Sequence, residues 1–182
     1  MSRSTIGLML LALFTVEAPV AAQESEPSVP AEQRAKRLPR QNLNGPRFGF
    51  TTFTGEVAEL RSDAGLSPVI SQFGWQFETQ MVSLEGGNKA LLEWIFLLGG
   101  VESEHSTVSA ALMAGYRLAN GFEFGAGPNI SFTSQTDKPT TSMVVAAGAT
   151  LPFGDLWVPL NTAVSFAEGG PRITVLTGWI VG

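Results

Sequence analysis

A chain of 182 residues with a formal net charge of −5 and no cysteine has room for one domain and flanking segments. The lack of cysteine excludes a disulfide scaffold, thiol catalysis, a cysteine-based zinc site and a lipidated N-terminal cysteine. The acidic balance argues against general nucleic-acid binding, and no apolar run after the N-terminus is long enough for a membrane-spanning helix.

Residues 1–22 read as a secretory signal peptide. Arg3 supplies the positive start, Ile6 to Val16 the apolar core, and Val20-Ala21-Ala22 a small-residue cleavage pattern with the cut after Ala22. Glu17 and Pro19 disfavour an uncleaved anchor helix. Residues 23–45 read as a disordered linker, because polar residues dominate and apolar side chains are too sparse for a core. Arg34, Lys36, Arg37 and Arg40 form a basic cluster there. Contact with anionic lipid or an acidic periplasmic partner is open to it, but acidic neighbours favour a solvated tail.

The domain is expected over residues 46–182. Its first strand, Arg47 to Thr54, puts Phe48 and Phe50 on one face. Gly55 to Ala64 then reads as a short helix that Gly65 can end. The second strand, Val69 to Leu84, puts Phe73, Trp75 and Phe77 on one side. Gln72, Gly74, Gln76, Glu78 and Gln80 take the other. A two-residue turn at Gly86-Gly87 is expected to pair Glu85 with Asn88, and therefore Thr79 with Trp94, Phe77 with Phe96 and Trp75 with Leu98. In the third strand, Lys89 to Glu102, Leu91, Ile95 and Leu97 fall on the inner face, which argues against a wholly polar, water-filled lumen.

The stretch Val108 to Thr133 reads as a long hairpin. A three-residue turn, Ala119-Asn120-Gly121, sets Arg117 opposite Glu123, with Gly121 in the left-handed position. Tyr116, Leu118, Phe122 and Phe124 then share one face. A two-residue turn would put Arg117 opposite Phe124 and mix the faces. Ser134 to Thr140 is a polar loop. The sixth strand, Thr141 to Phe153, turns at Gly154-Asp155 into the seventh, which carries Leu156, Leu160, Val164 and Phe166 on one face and Asn161 and Ser165 on the other. Gly169-Gly170 makes the last turn. The eighth strand runs from Pro171 to Val181, with Ile173, Val175 and Trp179 opposite Arg172, Thr174 and Gly178. Pro128, Pro152 and Pro159 cannot donate to a ladder, so they are expected at bulges or strand ends.

Eight strands of alternating character, an even number, suit a closed antiparallel up-and-down barrel with a short helix in its first loop. Three connections are tight turns and those at Gly55–Ser67 and Ser134–Thr140 are longer loops, an asymmetry that outer-membrane barrels show between their two ends; Ser103–Ser106 and Gly169-Gly170 are short for the longer class. On Phe73–Glu78 (FGWQFE), Leu97–Glu102 (LLGGVE), Tyr116–Asn129 (YRLANGFEFGAGPN) and Gly169–Gly178 (GGPRITVLTG), residues 46–182 resemble the small eight-stranded outer-membrane β-barrel proteins of Gram-negative bacteria. The likeness is architectural and spans about three quarters of the chain. It implies an outer-membrane location, with outer-membrane lipid and the barrel-insertion machinery as partners. One departure stands out: many members end on an aromatic residue, and this chain ends Trp179-Ile180-Val181-Gly182.

The inward set contains Glu78, Glu93, Arg117, Glu123, Asn129, Asn161 and Arg172. Charges so placed must pair, and an eight-stranded barrel is only wide enough to be filled by side chains. The set therefore reads as a structural network that plugs the interior, in preference to an ion path or ligand site. His105, the only histidine, is flanked by Glu104 and Ser106, but neighbours on an extended chain point to opposite faces, so no oriented triad is visible. The sequence has no glycine-rich phosphate loop, metal-ligand cluster or nucleophile elbow. The expectation is a non-enzymatic barrel without cofactor, with an envelope-supporting or loop-displaying role. The alternative is a soluble periplasmic, lipocalin-like barrel that binds an apolar ligand, the apolar residues of strands three and six lining a cavity. Alternation alone leaves open which face is inside.

Overall fold

Side chains in a strand alternate between two faces, so a run such as FGWQFE builds a strand that is aromatic on one side and polar on the other. The computed structural model describes residues 43–102, 105–134 and 138–181. The signal peptide and nearly all of the linker expected before Pro46 lie outside them. The strands are β1 (Gly45–Phe53), β2 (Val69–Ser83), β3 (Lys89–Gly99), β4 (Thr107–Arg117), β5 (Phe122–Thr133), β6 (Thr140–Phe153), β7 (Leu156–Ala167), β8 (Gly170–Gly178) and the two-residue β9 (Ile180–Val181). A helix, α1 (Gly55–Asp63), lies between β1 and β2.

Each of the first seven strands pairs antiparallel with the next, and β8 returns to β1 with Arg47 opposite Gly178 and Phe53 opposite Arg172. The sheet is thus a closed, eight-stranded meander. Closure leaves no open sheet edge. Tight connections at residues 84–88, 118–121 and 154–155 gather at the end where β1 starts, called here the turn end. The other, loop end carries α1. The helix has no buried residue and is fastened to the β7–β8 turn, where Val57 N–H donates to Gly169 O at 3.1 Å and Thr54 N–H to Pro171 O at 3.2 Å.

The β4–β5 hairpin has the expected register. Arg117 faces Glu123 and Tyr116 faces Phe124. Leu118 N–H donates to Phe122 O at 2.8 Å, and Gly121 takes φ +90°, a conformation that a side chain would strain.

The β2–β3 register differs from the expected one by two residues: Phe77 faces Trp94, Trp75 faces Phe96 and Thr79 faces Leu92. The turn has three residues, Glu85–Gly87, closed by Leu84 N–H to Asn88 O at 2.9 Å, which accounts for one position. A β-bulge between Gln80 and Val82 accounts for the other. The two displacements add to an even number, so the aromatic residues keep their face. β3 also ends at Gly99 instead of Glu102.

The last strand is divided. β9 pairs with β7 through Leu156–Val181 and Trp157–Ile180, in the same register as Leu160–Thr177 of β8. That register sets the break at Gly178-Trp179 beside Pro159, which has no N–H to give. Pro159 O instead accepts from Thr177 Oγ1 at 2.9 Å. Pro128 and Pro159 therefore lie within strands, not at bulges or ends. At Pro128 the β4–β5 ladder skips from Ala111–Asn129 to Ala114–Ala126 without changing register. Pro152 lies near the end of β6, as expected.

Candidate functional site

The wall of the barrel sorts its residues by charge. Every charged residue of the strands, namely Arg47, Glu78, Lys89, Glu93, Arg117, Glu123 and Arg172, lies on the inward face. The outward face carries Phe48, Phe50, Phe73, Trp75, Phe77, Trp94, Phe96, Phe122, Phe124, Phe132 and Trp179, all exposed. Neighbouring rings meet across the strands: Phe48–Trp179 at 5.7 Å, Phe77–Phe96 at 6.1 Å and Tyr116–Phe124 at 5.6 Å. A soluble ligand-binding barrel required the opposite sorting, with aromatics inside and charges outside.

Toward the turn end the interior is filled by a polar network. Arg117 closes β4 and Glu123 opens β5, so the hairpin register alone brings them together. Arg117 Nε donates to Glu123 Oε2 at 2.8 Å, and Nη1 donates to Glu78 Oε1 at 2.7 Å. Nη2 reaches both acids, Glu78 at 2.5 Å and Glu123 at 2.6 Å. Asn161 Nδ2 donates to Glu123 Oε1 at 3.0 Å. A guanidinium fork matched to carboxylates is the arrangement that best offsets the cost of taking charge out of water. Alongside it, Arg47 Nε donates to Gln76 Oε1 at 3.0 Å, and Gln76 Nε2 donates to Glu93 Oε1 at 2.6 Å. Residues just before β1 complete this end: Leu43 is buried, its carbonyl accepts from Arg47 Nη2 at 3.2 Å, and Asn44 Oδ1 accepts from Glu78 N–H at 2.5 Å.

The seven inward residues named from sequence are not one cluster. Glu78, Arg117, Glu123 and Asn161 are directly linked, and Glu93 joins Arg47 through Gln76. Asn129 stands apart and donates to Ser142 Oγ at 3.3 Å. Arg172 lies at the loop end, its guanidinium 5.2 Å from the Phe53 ring centre. Sequence reasoning missed two inward charges, Lys89 and Arg47, and Arg47 hydrogen-bonds into the network. Its signal was present, since Phe48 and Phe50 on the outer face force Arg47 inward.

The network occupies the interior toward the turn end and not the whole length of the barrel. Between it and the loop end lies a cavity of about 100 Å³. Ile95 and Leu97 of β3 and Val144 and Ala146 of β6 line it, with Ala111 and Met113 of β4. Thr51, Gln72, Asn129 and Arg172 add polar groups to the same wall. His105 lies in the β3–β4 connection, and Glu104 lies outside the described residues. Among the described residues, no group of three or more His, Asp or Glu side chains is placed to hold a metal ion.

Compared with protein-family models, with curated proteins and with solved structures, the chain matches none.

Proposed function

We propose that this protein is an outer-membrane β-barrel of the Gram-negative cell envelope, non-enzymatic, which supports the envelope or displays its loops. The observation that carries this reading is the uncharged outer wall: all charged strand residues are inward, while exposed aromatic and aliphatic side chains surround the barrel. Soluble monomers rarely expose apolar patches beyond a few hundred Å², whereas in a bilayer such a wall lowers the free energy and aromatic rings favour the interfaces. Closure supports the same reading, because every strand of the eight finds two neighbours and leaves no backbone edge toward lipid.

In this reading the signal peptide carries the chain across the inner membrane and the insertion machinery assembles the barrel from the periplasm. The turn end faces the periplasm, and the loop end with α1 faces outward. The Arg117 network blocks the lumen at the periplasmic side, so the barrel is not an open pore. Cell fractionation followed by gel electrophoresis of boiled and unboiled samples tests the reading. The expected result is recovery from the outer membrane, with a band that shifts on boiling. Recovery from the soluble periplasm without detergent would overturn it.

A further inference from the structure

The wall of the cavity above the plug holds buried polar atoms that make no hydrogen bond among the described residues. Gln72 is only 7% exposed. Its Nε2 donates to Thr51 Oγ1 at 2.9 Å, but its Oε1 is buried without a hydrogen bond. Gly99 packs against this amide, and a Cβ there would meet the Gln72 side chain at 2.8 Å, so the wall is shaped to hold it. Arg172 Nε is likewise buried with no hydrogen bond, and among the described residues no carboxylate forms an ion pair with Arg172. Both side chains line the cavity. Burying such groups unpaired is costly, which points to a missing partner.

The rim adds to the positive field. Arg61 of α1 and Arg172 both lie over the Phe53 ring, at 4.7 and 5.2 Å from its centre. Glu102, whose charge acts on Arg61, already has its carboxylate engaged by Ser71, through the backbone N–H at 2.9 Å and through Oγ. Below the rim the wall turns apolar at Ala111, Met113 and Val144, which form one buried cluster.

We propose that this cavity binds a small hydroxylated carboxylate: the carboxylate accepts from Arg172, an apolar body packs on Met113 and Val144, and a hydroxyl donates to Gln72 Oε1. Size limits the body. An apolar protein cavity of about 150 Å³ accommodates benzene, so a space of about 100 Å³ takes a short chain and no aromatic ring. The proposal rests on the interior and not on the reading of the outer wall, so it is tested in detergent, where either outcome leaves the membrane question separate.

The test is titration of the full-length barrel in micelles with 3-hydroxybutyrate, followed by methionine methyl NMR. Met113 lines the cavity, while Met81 and Met143 are exposed and report partition into the micelle. A saturable shift confined to Met113 is expected. Arg172→Gln should weaken it by about tenfold or more, as loss of a charge-assisted hydrogen bond implies. The neutral 3-hydroxybutyramide should show the same weakening on the unaltered protein, which keeps the test valid if Arg172→Gln fails to fold. Butyrate, lacking the hydroxyl, should bind more weakly than the hydroxylated acid. Absence of a saturable Met113 shift, or equal binding of acid and amide, would overturn the proposal and leave a cavity that holds water only.

Discussion

Arg117 divides its guanidinium between two acids, and this makes each acid dependent on the other's position. Glu123 is the more exposed to test, because it holds Arg117 on one oxygen and Asn161 on the other. Glu123→Gln keeps the shape but leaves Arg117 short of a charge. It should cost about 3–5 kcal/mol of unfolding free energy, against a few tenths for Glu56→Gln in the first turn of α1. Urea titration of both variants in the same detergent checks this, and equal effects would contradict the network as drawn. At the loop end, the Ser71 hydroxyl and then its N–H hold the Glu102 carboxyl below its ordinary value of 4.5. A lowered value means the contact is complete above the usual carboxylate range and is lost as pH falls through the lowered value. The Ser71 amide resonance should therefore titrate with a midpoint below 4.5. A midpoint at or above it would show that the contact does not form.

The elements differ in how far local sequence specifies them. The β4–β5 hairpin is written in residues 117–123, since only one turn length puts Arg117 opposite Glu123 and needs a left-handed residue where Gly121 stands. Gly121→Ala should cost about 1–3 kcal/mol in the same unfolding assay, and a loss of a few tenths would contradict the observed turn. The β2–β3 hairpin was not legible to the same depth. Its turn holds two glycines that fit more than one turn length, and the bulge at Met81 leaves no mark in an alternation that is already apolar at Met81 and Val82. The division of β8 from β9 could be anticipated at Pro159 only as an irregularity, because its effect falls on a strand distant in sequence. The polar network was legible for the same reason that the strands were: inward positions follow from period two. The cavity was not, because it arises from the combined volumes of facing side chains such as Met113, Val144 and Leu176, which come from strands that no local pattern relates.

At the scale of the molecule, one sorting rule decides both interior and exterior. Seven charged strand residues inside require the network and leave Arg172 and Gln72 facing a cavity; none outside leaves a wall of exposed aromatic and aliphatic surface. Three of the four tryptophans, Trp75, Trp94 and Trp179, stand exposed on that wall, while Trp157 is half-buried. With Trp157→Phe as background, the protein reconstituted into vesicles containing brominated lipid measures directly whether the wall meets acyl chains. The account predicts strong quenching of the remaining tryptophans by the brominated lipid and little by an aqueous quencher. Emission that brominated lipid leaves unchanged, from a protein that stays in solution without detergent, would contradict it.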